Sequence, residues 1–378
     1  MKTPEVLYIG NFRLPDQNAA AHRVINIGKS LRDLGFIVVY FGVGEYAKID
    51  IPLETDGFRY YNVFSIRRGE FLHEEFCISH IKRYIKKNQQ VRLVIAYNYP
   101  SIALMQIKGY CRRRGIRIIA DCTEWYNSRD VNPLKGILKG VDSAIRMRFV
   151  HKRLDGVIAI SSYLENYYSK WIPTQIIPPT VDINAEKFHF LQAQKSRENG
   201  RTVIVYSGVP SASKEALDRV VECMAGMIDK PVELQIVGIT EEQYIRIYRC
   251  APAPKNVVFL GRLTHRQALE TVAKGDYALI IRPNNRLTQA GFPTKFAEAI
   301  SCGTPVIATR TSDLEAYISD GINGFLIKLG DLASLLNQIC SGLEKPPVDR
   351  SLFHYECYTQ ILGEYLEHIG VKACLKQE

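Results

Sequence analysis

The segment GFPTKFAEAISCGTPVIATRTSD, residues 291–313, gathers residues able to do chemistry. Gly291, Phe292 and Pro293 predict a tight loop, and Phe296, Ala297, Ala299 and Ile300 predict a short helix carrying a single acid, Glu298. Gly303 ends that helix, Pro305 bars its continuation, and Val306–Ala308 predicts a buried strand. Thr294 and Lys295 then fall on the first helical turn, where free backbone N–H groups face the loop. Such a helix start binds anions, phosphate above all. A plain helix–strand connection without a ligand is the competing reading, and the rest of the chain must decide.

Other phosphate-handling devices are absent from the sequence. The Gly-x-Gly of YFGVGEYAKID lacks a third glycine and a following helix, so it is a poor dinucleotide fingerprint. There is no Walker-type Gly-Lys-Ser/Thr loop, no Gly-x-Ser-x-Gly, no His-Glu-x-x-His and no Asp-x-Asp pair to hold a divalent cation. Phosphate would therefore be met by side-chain cations and backbone amides.

These residues need a scaffold, and the chain supplies one in two similar halves. Apolar runs at 6–9, 37–41, 93–96, 116–120, 157–160 and 176–177 alternate with amphipathic helices. A second set follows at 203–206, 234–237, 257–260, 278–281, 305–308 and 325–327. Short continuous apolar strands separated by helices mean parallel sheets covered on both faces. The expected organisation is an α/β chain of two doubly wound, Rossmann-like domains, 1–182 and 203–350, with ligand at the carboxyl ends of the strands in a cleft between them. A polar linker is expected at 183–202, and a closing amphipathic helix within 351–378 that could cross back to the first domain.

Composition narrows the class. With 378 residues, 46% hydrophobic and 23% charged, the chain reads as a soluble globular protein of about two domains. No long uncharged apolar run spans a membrane, and the N-terminus lacks a signal-peptide pattern. Nine scattered cysteines without metal spacing suggest reduced thiols and the cytosol. The net charge of +10 lies wholly in residues 1–190, which hold 28 Lys/Arg against 18 Asp/Glu. An anionic surface would be drawn to that half, although a solvated basic face reads equally well. Nucleic acid is not expected, since groove-reading and base-stacking motifs are missing.

VYSGVPSASKEAL (with Gly208 and Lys214), GFPTKFAEAISCGTPVIAT (with Glu298 and the Gly303–Val306 turn) and DGINGFLI resemble the motifs of glycosyltransferase family 4. IGNFRLPDQNAAAHRVINIGKSLRDLGF, AISSYLENYY and IIPPTVDINAEKF resemble landmarks of its first domain. The resemblance runs the length of the chain and is strongest over 203–327. It implies the GT-B architecture and a retaining, metal-independent transfer of a sugar from a nucleoside-diphosphate donor, with no cofactor. Its bacterial surface-polysaccharide form implies a glycan or lipid-linked acceptor. Two positions depart from the pattern: Ala290 stands where a partner glutamate is expected, and Val209 where a cation follows the glycine. Both losses leave open a second reading, an inactive GT-B subunit that binds a nucleotide or a partner enzyme.

Carried over residue by residue, the resemblance gives Glu298 the ribose and Lys214 the diphosphate. Gly208, Gly291, Phe292, Pro293, Thr294 and Lys295 line the donor site, and the base is read near Gly238 and Gly261. Arg282, which ends YALIIRP, is the expected replacement for the missing cation, with Lys295 second; a salt bridge to a nearby acid is the alternative for Arg282. On the acceptor side Asp121 and Glu124, at a strand end in RIIADCTEWYNSRD, are candidates to orient a hydroxyl, while Asp121 could equally cap a helix. His22 is a pocket candidate or a solvated histidine. Finally, 132–156 sets Leu134, Ile137, Leu138, Val141, Ile145 and Phe149 in a helical stripe flanked by Lys135, Lys139, Arg146, Arg148, Lys152 and Arg153. That stripe either packs on the sheet or lies against an anionic membrane surface, which would place the protein at the inner face of the membrane.

Overall fold

A computed structural model describes residues 3–45, 48–65, 78–125, 133–192, 200–211 and 214–372. The chain forms two compact units, one of Met1–Thr180 with Tyr355–Glu378, the other of Val181–His354.

The first unit holds strands β1 (Glu5–Gly10), β2 (Ile37–Gly44), β3 (Lys48–Thr55), β4 (Phe58–Ser65), β5 (Val91–Tyr97), β6 (Arg117–Cys122), β7 (Gly156–Ala159) and β8 (Thr174–Ile176). They form one sheet in the order β3-β4-β2-β1-β5-β6-β7-β8, parallel except for the β3–β4 pair. Helices cover both faces, so β1 is buried along its whole length and the strands read as unbroken apolar runs. The antiparallel edge pair β3–β4 was not among the expected strands. Its two-residue turn is Asp56-Gly57, both with positive φ (49° and 75°), the backbone a tight hairpin requires. Helix Thr359–His368 belongs to this unit: Leu362, Tyr365 and Leu366 share a core with Val24, Ile27 and Leu31 of helix Ala19–Asp33.

The second unit is a six-stranded parallel sheet of β9 (Thr202–Ser207), β10 (Val232–Val237), β11 (Val257–Gly261), β12 (Tyr277–Ile280), β13 (Val306–Thr309) and β14 (Gly324–Ile327). The order is β11-β10-β9-β12-β13-β14, so the winding reverses at β9. The carboxyl ends of β9 and β12 therefore flank the crevice where open α/β sheets bind ligands. The polar segment expected as a linker is partly structured: Glu186–Gln192 makes a 3-10 turn with Phe188 buried in this unit.

Candidate active site

Three glycines open the carboxyl edge of the second sheet. Gly208 follows β9 with φ 134°, Gly238 follows β10 with φ 119°, and Gly261 ends β11 with φ 65°. The Gly208 N–H donates to the Val237 carbonyl and the Gly238 N–H to the Gly261 carbonyl, which draws the three loops together. A Cβ on Gly238 would collide with the Gly208 carbonyl, so the close approach admits only glycine. A Cβ on Gly208 would stand 3.4 Å from the Lys295 ammonium.

Beneath these loops lies a charged cluster. Glu215, buried, takes Lys295 Nζ at 3.3 Å and faces Arg282 Nε at 3.8 Å through the same oxygen, Oε1. Its Oε2 accepts the Ser211 N–H at 3.2 Å. Lys295 Nζ also sits 4.1 Å from the centre of the Tyr206 ring. Two cations thus share one acid. Burial lowers the pKa of Lys295, Glu215 opposes that shift and Arg282 adds to it; burial likewise lowers that of Arg282. The Nε and Nη1 atoms of Arg282 are buried and make no hydrogen bond to any described residue. Buried donors without acceptors are costly, and an anion would satisfy them. Arg282 thus has the acid neighbour that was its alternative reading from sequence, and it keeps two buried donors without hydrogen bonds to described residues.

Helix Thr294–Ser301 opens on the same cluster. Pro293 is its N-cap residue, no side chain caps the first turn, and Lys295 enters the cluster from that turn. The Phe292 and Pro293 side chains are buried; Phe292 packs on Phe296, Tyr317 and Phe353, so only its backbone faces the loop chemistry. Gly291 caps the preceding helix Arg286–Ala290, and Ala290 is fully buried. Glu298 Oε1 lies 3.1 Å from His265 Nε2, on the first turn of helix His265–Lys274. Lys214 is half-buried and its N–H donates to the Ser211 carbonyl, which fixes the loop between β9 and helix Leu217–Ala225. Val209, in place of the expected cation, is 70% exposed, while Arg282 and Lys295 are largely buried. Glu215 was missed from sequence: beside Lys214 it reads as a surface acid, and only the fold buries it.

In the first unit the expectation for Asp121 and the solvated reading of His22 are corrected. Asp121 is fully buried and its carboxylate is consumed: Arg23 donates from Nε (2.9 Å) and Nη2 (2.7 Å), and the Tyr8 hydroxyl donates at 2.6 Å. Arg23 Nη1 spans on to the Ile177 and Pro178 carbonyls. This carboxylate is neither a helix cap nor free to orient an acceptor; it ties β1, β6 and helix Ala19–Asp33 together. His22 pairs with Asp16 at 2.9 Å rather than standing in solvent. Glu124 remains partly exposed beyond the end of β6.

Residues 201–345 match the family model described as glycosyl transferases group 1. That match falls within the second unit. A curated relative, the putative glycosyltransferase EpsD of Bacillus subtilis (strain 168), is 27% identical over 184 residues, and the matched part spans 46% of this chain and 46% of that protein. Across the fold, sucrose-phosphate synthase from Thermosynechococcus elongatus superposes with TM-score 0.72 at 15% identity, covering 97% of this chain and 99% of the other. Anabaena HepE, solved with UDP and glucose, superposes at 0.64 with 17% identity, covering 97% of this chain and all of that one, 100%. The chain thus has the two Rossmann-like domains of the GT-B fold, as its motifs implied. The matched segment 201–345 contains every donor-side residue named above, from Gly208 to Glu298.

Proposed function

We propose that this protein transfers a sugar, with retention and without a metal, from a nucleoside-diphosphate donor to a glycan or lipid-linked acceptor in surface-polysaccharide assembly. The observation that carries the reading is the buried Arg282–Glu215–Lys295 cluster with two unsatisfied Arg282 donors at the switch point of the sheet. Breaking a sugar–phosphate bond places charge on the leaving diphosphate. Preorganised cations in a water-poor site lower that barrier most, because they need no rearrangement as charge develops. Arg282, Lys295 and Lys214 supply the positive groups, and the N–H groups of Thr294 and Lys295 add a helix start. Glu298, oriented by His265, takes the ribose hydroxyls. In a retaining transfer the acceptor enters on the leaving-group side, and a phosphate oxygen takes its proton. No carboxylate base is then required of this chain, consistent with the structural role of Asp121.

The donor class to test first is a UDP-sugar, since HepE was solved with UDP-glucose. Incubation with UDP-sugars in EDTA should give hydrolysis or transfer. Activity that vanishes with EDTA and returns with manganese would overturn the metal-independent reading. Nucleoside diphosphate binding without turnover on any donor would favour an inactive, nucleotide-binding subunit, the outcome suggested by Ala290 and Val209.

The working surface is proposed to be an anionic membrane. Among the described residues no helix is long and apolar enough to cross one. Along helix Pro133–Ile145 and the turn after it, Ile137, Val141, Ile145 and Phe149 are exposed rather than packed on the sheet. Lys139 and Arg148 flank them in solvent. Arg146 is different: it is buried, donates to the Asn98 carbonyl and faces Asp142, so it holds the helix rather than a lipid. Leu134, Lys135 and Leu138 have side chains outside the described residues.

A further inference from the structure

The amino edge of the first sheet carries a second charged site, on the opposite edge from the strand ends that bind ligands in such folds. Lys108 and Arg112 of helix Ser101–Arg112, Arg117 of β6, and Arg153 and Asp155 before β7 converge on a cavity of about 550 Å³. Its one acid is spent: Asp155 Oδ1 takes Arg117 Nη1 at 2.9 Å and Oδ2 accepts the Ile118 N–H at 2.8 Å. Neither Lys108 nor Arg112 has an ion pair to a described acid. The Lys108 pKa is lowered, by burial first, with Asp155 opposing and Arg112 and Arg153 adding to the shift. Arg117 is already matched by Asp155, so Lys108, Arg112 and Arg153 leave the cavity with an excess of positive charge that favours an anion.

Two exposed apolar rows lead to this cavity. Ile137, Val141, Ile145 and Phe149 recur every fourth residue and are between 38% and 61% exposed; the series ends at Arg153, whose Nη1 donates to the Phe149 carbonyl at 2.8 Å. On helix Ser101–Arg112, Ile102 and Met105 are exposed, and Lys108 and Arg112 follow at helical spacing. Both rows run from apolar to basic along the chain. A lone anion site would not need them; a molecule with an apolar body and an anionic head would.

We propose that the cavity formed by Lys108, Arg112, Arg117 and Arg153 seats the phosphate of an anionic phospholipid headgroup, with the Ile137–Phe149 row in the acyl boundary. The proposal rests on the membrane-surface reading above and adds to it a defined lipid site. Fourfold convergence of cations gives a phosphate more hydrogen-bond donors than a diffuse basic face does, so the site discriminates by position and not by charge count.

The test is co-sedimentation of the full chain with phosphatidylcholine vesicles, plain or doped with phosphatidate. Lys108→Ala with Arg112→Ala is compared against a charge-matched pair, Lys86→Ala with Lys87→Ala, on the exposed end of helix Ser79–Lys87. The wild type should bind doped vesicles only. The cavity pair should lose about thirtyfold, and the control pair less than about threefold, on the scale of about 1 kcal/mol per basic residue at a lipid surface. Both variants should keep the wild-type melting temperature and donor hydrolysis. Calorimetry with soluble dihexanoyl phosphatidate should show binding that the cavity pair lacks. Equal losses in the two pairs, or unchanged binding by the cavity pair, overturn the lipid site while the membrane reading stands. A wild type that ignores doped vesicles overturns both. If inorganic phosphate binds the cavity while vesicles do not, the source is free phosphate and the lipid proposal is wrong.

Discussion

Glu215 stands between two buried cations, and it opposes the lowering of the Lys295 pKa by burial and by Arg282. Removing that charge lowers the Lys295 pKa further. Glu215→Gln should therefore move the alkaline loss of nucleoside-diphosphate affinity to lower pH, read by calorimetry across a pH series. An unmoved alkaline limb would mean that Lys295 does not meet the diphosphate. Glu298 and Lys214 separate differently. Glu298→Ala should weaken nucleoside-diphosphate binding by about 1–3 kcal/mol, the loss of a charged hydrogen bond. Lys214→Ala should cut turnover more than binding, because leaving-group charge grows toward the transition state. Equal losses in both parameters for both variants, with lowered melting temperatures, would mark the two residues as structural. Asp121 belongs to another class. Asp121→Ala leaves Arg23 buried without its partner and should cost about 3–5 kcal/mol in urea unfolding, while a refolded sample still binds nucleoside diphosphate.

At the scale of elements, the glycine loops show how backbone alone can shape a site. Gly238→Ala meets the Gly208 carbonyl and forces a side chain into φ 119°, so the β9 and β10 loops must separate. The variant should lose donor affinity more than tenfold, about 1.4 kcal/mol or more, with modest loss of melting temperature; normal affinity would show that the loops tolerate separation. The strands, the loop at 291–293 and its helix were legible because continuous apolar runs and Gly/Pro punctuation are local signals. What was illegible depended on distant partners. Arg23 reaches Asp121 across 98 positions, and no spacing rule joins them. The β3–β4 hairpin had its Asp56-Gly57 turn in plain view, but Pro52 argues against a central strand; the structure puts β3 at the sheet edge, where proline is tolerated. The helix at 133–145 carried two readings from its stripe alone. Ile137, Val141 and Ile145 are exposed, and the stripe alone does not carry that outcome, since periodicity marks a face and not what covers it.

For the whole molecule, charge is divided between two tasks that differ in burial. The excess of +10 sits in residues 1–190, much of it exposed, whereas the donor cluster sets the buried cations Arg282 and Lys295 against the single acid Glu215. Salt acts on these unequally. The screening length is about 10 Å at 0.1 M and about 3 Å at 1 M, so exposed charges lose their reach while buried pairs at contact distance are screened far less. The lipid surface meets the exposed cations of the proposed site, each contributing about 1 kcal/mol at low salt. Raising sodium chloride from about 0.1 M to about 1 M should therefore abolish binding to phosphatidate-doped vesicles yet weaken nucleoside diphosphate binding by less than about threefold. The pair of titrations on one preparation is decisive, because each serves as the folding control of the other. Parallel loss of both would mean that the donor is held by solvent-exposed charge, and the buried cluster would then lose its assigned part in the reaction.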